Sequence, residues 1–244
     1  MLEAQTMQYG KANAPDIRSV RLRNIGVLAS GRGTNLQAII DAASRGDFAG
    51  RVAVVVSDRS KAPALQRAVR AAIPAVFVSK KEAGSQEAFE KRLAGILDEH
   101  EVNVVCLAGF MRILGPWFVQ RYRGRMLNIH PALLPSFPGM EAQRQALEYG
   151  VKVSGCTVHF VDEGVDAGPI IIQRAVTVRE DDTVETLSGR ILVEEHKAYV
   201  HALKLLCDGR LEIQDKRVVV KGPSAGADGP ASGHSNTAGQ RENP

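Results

Sequence analysis

The sequence predicts an α/β protein: a single twisted, mostly parallel sheet with helices on both faces and antiparallel C-terminal strands. Three observations lead there. Between Asn24 and about Val220, short apolar runs alternate with segments of helical period, the pattern of βαβ units. One run, Val102–Ala108 (VNVVCLA), is continuous enough to be buried on both faces, as strands of a parallel sheet are. Two late runs, Cys156–Val161 and Ile170–Val178, are joined by a link too short for a parallel crossover, so they pair antiparallel on one edge.

The elements follow in order. Ile25–Ala29 is the first strand and stops at Ser30-Gly31. Thr34–Ser44 sets Leu36, Ile39, Ile40 and Ala43 on the i, i+3, i+4, i+7 stripe of a helix. Val52–Val56 is the second strand. Pro63–Ala72 is the second helix, with proline in its first turn, where the missing N–H has no helical partner to lose. Ala75–Val78 is the third strand. Gln86–His100 is the third helix, with Phe89, Leu93, Ile96 and Leu97 on one face. Val102–Ala108 and Met126–Ile129 are the fourth and fifth strands. Thr183 opens a long helix striped by Leu187, Ile191, Ala198, Ala202 and Leu205, and Gly209 suits its C-terminal stop.

The chain has 244 residues, enough for one larger domain with a sizeable core. With 44% hydrophobic and 24% charged residues it is neither wholly disordered nor fibrous. A net charge of +4, spread along the chain, is too weak to point to nucleic acid. No run of about 18 apolar residues is present, so no membrane helix is expected. Residues 1–24 lack the apolar core of a secretory signal, and a cytoplasmic protein is expected. Cys106, Cys156 and Cys207 are an odd number without CxxC spacing. They read as buried thiols of a reducing compartment, with neither a disulfide frame nor a metal site. Residues 1–23 are polar and aperiodic and read as a flexible lead-in, 24–220 as the domain. Residues 221–244, rich in Gly, Pro, Ser and Ala, read as a disordered tail.

Three stretches carry chemistry. Ser30-Gly-Arg-Gly-Thr-Asn35 joins the first strand to the first helix. Such a loop turns backbone N–H groups and a positive helix end toward a phosphate; a tight βα turn with an N-cap would read the same way. It is neither GxGxxG, because Leu36 stands where the third glycine would, nor a Walker loop, because GK[ST] is missing. In Arg125-Met-Leu-Asn-Ile-His-Pro131, alternation sends Asn128 and His130 to one face and Leu127 and Ile129 to the other. An amide and an imidazole at the carboxyl end of a parallel strand can hold a developing oxyanion; a capping Asn and a core His are the plainer alternative. Pro131, Pro135 and Pro138 stiffen the following loop. Asp166, in a glycine-bearing loop between the late strands, can act on His130, with Asp162 and Glu163 as rivals and a turn role as the alternative. Gly109-Phe-Met-Arg-Ile-Leu114, after the fourth strand, forms an apolar lip with one Arg.

Together, Val27–Ile40, Leu107–Leu114, Leu127–Gly139 and Gly155–Ile170 resemble the folate-dependent glycinamide ribonucleotide formyltransferases over about residues 24–212. The resemblance implies a Rossmann-like formyltransferase fold and transfer of the formyl group of 10-formyltetrahydrofolate to the amine of glycinamide ribonucleotide, in purine biosynthesis. Both are small molecules; no metal, nucleic acid or membrane is involved, and the enzyme is a monomer or homodimer. It also implies site roles. Asn128 and protonated His130 hold the oxyanion, and Asp166 tunes His130 and organises a proton-relay water. Gly33, Thr34 and Asn35 bind the phosphate, and Glu195 contacts the ribonucleotide. Met111, Arg112, Ile113, Leu114, Val161 and Asp162 form the folate pocket. The chain departs from the family pattern at Gln86, where some members have a phosphate-binding arginine, and at Met140–Gln143, where histidines are common. Sibling enzymes acting on methionyl-tRNA, on formylfolate and water, or on sugar nucleotides share the Asn-x-His logic. The first two carry further domains, and the Gly31–Asn35 loop favours a monophosphate over a sugar nucleotide. A non-catalytic nucleotide-binding module is the alternative from another class.

Overall fold

The computed structural model describes residues 22–222. It contains one nine-stranded sheet of order β3-β2-β1-β4-β5-β6-β7-β9-β8. The parallel half comprises β1 (Arg23–Leu28), β2 (Gly50–Ser57), β3 (Ala75–Phe77), β4 (Val104–Leu107) and β5 (Met126–His130). β6 (Val153–Phe160) and β7 (Ile170–Thr177) then run antiparallel, as expected from their short link. The helices are α1 (Thr34–Arg45), α2 (Pro63–Arg70), α3 (Lys80–Ala83), α4 (Gln86–Glu99), α5 (Pro116–Arg121), α6 (Ala142–Tyr149) and α7 (Val184–Cys207).

Some elements were not foreseen. α3, α5 and α6 are each eight residues or fewer, too short to show a sustained helical period. The hairpin of β8 (Leu211–Gln214) and β9 (Arg217–Val220) joins β7 through Ile170↔Arg217; its strands of four residues are too short to show alternation. β1 starts at Arg23, so the last residue of the expected lead-in is strand. The Lys221 N–H donates to the Arg210 carbonyl (2.8 Å), which carries order past Val220. The rest of the expected lead-in and tail lies outside the described residues.

The sheet separates two cores, and strand alternation assigns residues to each. Ile25, Val27, Leu127 and Ile129 pack with α1, α2 and α7, through Leu36, Ile39, Ala64, Ile191 and Tyr199. Leu28, Val105 and Met126 pack with α4 and α5, through Phe89, Leu93, Leu97 and Phe118. Because Leu127 and Ile129 face α7, Asn128 and His130 turn to the opposite face, as their spacing predicts.

The topology fixes where a ligand can lie. Strand order reverses between β1 and β4, and open α/β sheets bind ligands outside the carboxyl ends of the strands at such a point. Leu28 pairs with Leu107, and Leu107 with Asn128. The loop after β1, the lip after β4 and the end of β5 therefore succeed one another along one edge, about 5 Å apart per strand.

Candidate active site

His130 ends β5 and is almost fully buried. Its Nε2 lies 2.8 Å from the Phe137 carbonyl, and its Nδ1 lies 3.2 Å from Asp166 Oδ2. A carbonyl and a carboxylate can only accept, so the doubly protonated ring satisfies both contacts. Asp166 reaches the ring from the β6–β7 loop with a left-handed backbone (φ 50°). Its Oδ2 also accepts from the Gly139 N–H (2.8 Å), and its Oδ1 from Asn128 Nδ2 (3.3 Å). Burial pushes the Asp166 carboxyl up. His159, the Gly139 N–H and the charge on His130 outweigh that, and the carboxyl is held below its ordinary range. Asp166 rather than Asp162 or Glu163 meets His130. Asp162 Oδ1 instead accepts from the Gly164 N–H, and Glu163 Oε1 from Gln120 Nε2.

His159 was missed by the sequence reading. It pairs directly with Asn128 across β5 and β6. Its Nδ1–H donates to the Phe160 carbonyl (2.8 Å), and its Nε2 stands 3.2 Å from Asn128 Nδ2 and 3.7 Å from Asp166 Oδ1. The signal was present: in Cys156-Thr-Val-His-Phe160, the apolar residues alternate with Thr157 and His159, a polar face like that of β5.

The loop after β1 ends in Gly33, which caps α1 in the left-handed region (φ 71°). A Cβ there would come within 2.8 Å of Ala64 in α2, so only glycine allows both the turn and the helix contact. α1 has no side-chain cap and no acidic residue in its first turn. Its first amides, those of Thr34 and Asn35 among them, are therefore left to an outside acceptor. Asn35 Nδ2 donates to Glu195 Oε2 on α7 (2.8 Å), while Asn35 Oδ1 is buried without a partner. Burial pushes the Glu195 carboxyl up, against the opposing Asn35 bond and Arg32 charge. A buried, partly satisfied amide–carboxylate pair next to free helix amides is built for a polar ligand.

The lip after β4 divides. Met111 and Ile113 are 61% and 77% exposed, whereas Leu114 packs into the α4–α5 core. Val161 is partly buried against the same core. Arg112 Nε donates to Asp58 Oδ2 (2.6 Å). Gln86, at the start of α4, bonds toward the lip. Its Nε2 bonds Glu90 and the Ile113 carbonyl (3.1 Å), and Glu90 also receives the Gly115 N–H, so the pair clamps the far end of the lip.

The chain is similar to known formyl transferases. The formyl transferase family model matches residues 23–203. The Homo sapiens trifunctional purine biosynthetic protein adenosine-3 is 47% identical over 189 residues, 78% of this chain but only 19% of that protein. The phosphoribosylglycinamide formyltransferase of Escherichia coli is 42% identical over 82% of this chain and 94% of its own length. The crystal structure of glycinamide ribonucleotide transformylase 1 from Symbiobacterium toebii superposes with a TM-score of 0.82 at 53% identity, covering 84% of this chain and 96% of that one. The chain thus spans under a fifth of the trifunctional relative and nearly all of the two single-function ones. It belongs to the formyl transferase family.

Proposed function

We propose that the chain is a phosphoribosylglycinamide formyltransferase, passing the formyl group of 10-formyltetrahydrofolate to the amine of glycinamide ribonucleotide. The observation that carries this reading is the meeting of Asn128, His130 and Asp166 at the end of β5, two strands from the uncapped start of α1. The similarity to formyltransferases along nearly their whole length supports it.

In this reading the substrate phosphate takes the amides of Gly33, Thr34 and Asn35. Glu195 and the unpartnered Asn35 Oδ1 receive the ribonucleotide's polar hydrogens. The folate lies along Met111–Ile113 between the β1 loop and β5. The amine nitrogen attacks the formyl carbon, and the carbonyl oxygen becomes an oxyanion. Asn128 Nδ2 and the His130 imidazolium donate to that oxygen; for His130 this means exchanging the Phe137 carbonyl for the oxyanion. Each preorganised donor lowers the barrier by about 3–4 kcal/mol. The intermediate collapses as the carbon–N10 bond breaks. The amine's proton passes to N10 through a water held by Asp166, which also lies 3.2 Å from His130 Nδ1. The chain acts in the cytoplasm on small molecules, with no part played by nucleic acid.

A spectrophotometric folate assay tests this. Tetrahydrofolate should appear only when glycinamide ribonucleotide is present, and His130→Ala should abolish nearly all of it. Tetrahydrofolate and formate released without the amine would identify a hydrolase instead, and a wild-type rate in His130→Ala would remove the assigned chemistry.

A further inference from the structure

Asp58 follows β2, and its side chain is fully buried. No sequence signal marked it as part of a site. Its hydrogen-bond donors come from both substrate loops of the proposed reaction, and its sequence neighbour Arg59 adds a looser ion pair at 3.9 Å. Oδ1 accepts from Ser30 Oγ (2.6 Å), the first residue beyond β1 and Ala29 in the phosphate loop. Oδ2 accepts from Arg112 Nε (2.6 Å) in the folate lip. Ser30 closes the circuit: its Oγ accepts from the Met111 N–H (2.8 Å), and its own N–H donates to the Gly109 carbonyl (3.0 Å). The sequence Met111 N–H to Ser30 Oγ–H to Asp58 to Arg112 thus starts and ends in the lip and passes through the phosphate loop. Arg112 leans across the end of β1 to reach β2, away from the catalytic end of β5.

Such a circuit has a mechanical consequence. Hydrogen bonds to a charged, desolvated acceptor are short and directional. A shift of Ser30 as the loop closes on a phosphate displaces the Met111 amide and the Asp58 carboxylate together, and through them Arg112. We propose that Asp58 is a positioning residue that couples the ribonucleotide loop to the folate lip, so that each substrate binds more tightly when the other is present. The proposal rests on the assignment of those two loops given above. Coupling of this kind is reciprocal: whatever factor folate imposes on ribonucleotide affinity, the ribonucleotide imposes on folate.

Calorimetry separates this from a purely structural role. The dissociation constant of glycinamide ribonucleotide is measured alone and with saturating tetrahydrofolate, which carries no formyl group and so permits no turnover. In the wild type, folate should tighten ribonucleotide binding by about fivefold or more, the low end of usual coupling. Asp58→Ala should bring the factor close to one. Ser30→Ala, which removes no charge and little volume, should do the same while melting cooperatively near the wild-type temperature. Asp58→Asn keeps an acceptor for Arg112 and should retain part of the factor. A factor of one in the wild type, or an unchanged factor in the Ser30→Ala protein, overturns the coupling. A wild type that turns over glycinamide ribonucleotide but shows no coupling leaves the formyl-transfer assignment standing. One that binds no ribonucleotide overturns that assignment and the coupling with it.

Discussion

At position 166 the backbone is left-handed and the side chain is an anion held by Asn128, His130 and the Gly139 amide. Asparagine tolerates that backbone better than most residues, so Asp166→Asn removes the charge with little strain. Turnover should fall by roughly 10²–10³-fold, the scale of a lost electrostatic contact in an active site, as initial rates would show. The variant also tests pH dependence. Because the folded carboxyl is held below its ordinary range, it adds stability that is complete above about pH 4 and is lost as pH falls through the folded value. The stability gap between wild type and Asp166→Asn, followed by denaturant unfolding, should therefore narrow as pH is lowered from about 5. Glu195 has the opposite sign. Its carboxyl is pushed up by burial, so ionisation at neutral pH costs stability. Glu195→Gln keeps an oxygen for Asn35 and should raise the melting temperature. It should also raise the KM for the ribonucleotide by about tenfold or more, through loss of a charged hydrogen bond. An unchanged KM would remove Glu195 from the substrate site, and a lower melting temperature would contradict the cost of burying its charge.

α1 lies against α2 because Gly33 leaves room for Ala64. Gly33→Ala meets both a backbone penalty of about 1–2 kcal/mol and a steric contact with α2. It should lower stability by at least that amount and weaken ribonucleotide binding more than folate binding. α7 is tied to the sheet by the Tyr199 hydroxyl, which lies within 3.0 Å of the Leu107 carbonyl and 3.1 Å of the Leu127 carbonyl. Glu195 sits one helical turn before it. Tyr199→Phe keeps the volume but strips the donor from buried carbonyls, and should cost about 1–3 kcal/mol in chemical denaturation. Legibility in the sequence followed element type. β5 could be read because strand alternation is local: it put Asn128 and His130 on one face without knowledge of any neighbour. Alternation in β6 marks the polar face that His159 shares with Thr157, but its meeting with Asn128 depends on the register of β6 against β5, set by pairing across 31 residues. Glu195 left a local trace: the α7 stripe of Leu187, Ile191 and Ala198 runs straight through it, and a carboxylate on an apolar stripe is out of place unless it is used. Glu90 does the same among Phe89, Leu93 and Leu97. Asp58 left no such trace; a polar residue after a strand is ordinary until the fold brings two other loops to it.

Across the whole molecule, the three cysteines report on the integrity of the fold. All are buried, and burial pushes their thiols up, those of Cys156 and Cys207 to about 12. Since the thiolate is the reactive form, native protein at pH 8 should resist alkylation by iodoacetamide for hours and react at all three positions once unfolded, as intact mass would register. Rapid labelling of the native protein would contradict the packing of α1, α2 and α7 against the sheet. The contact between Asn35 and Glu195, finally, spans 160 residues of sequence. A chain made at about 5–20 residues per second leaves the β1 loop waiting some 8–32 s on the ribosome for its partner. Through that interval β1 to β5 can assemble in order, each beside a neighbour already made, but the proposed ribonucleotide half of the site has no second wall. Newly made chains should therefore gain the ability to bind substrate in one late step, when α7 emerges and swings back across the first helix.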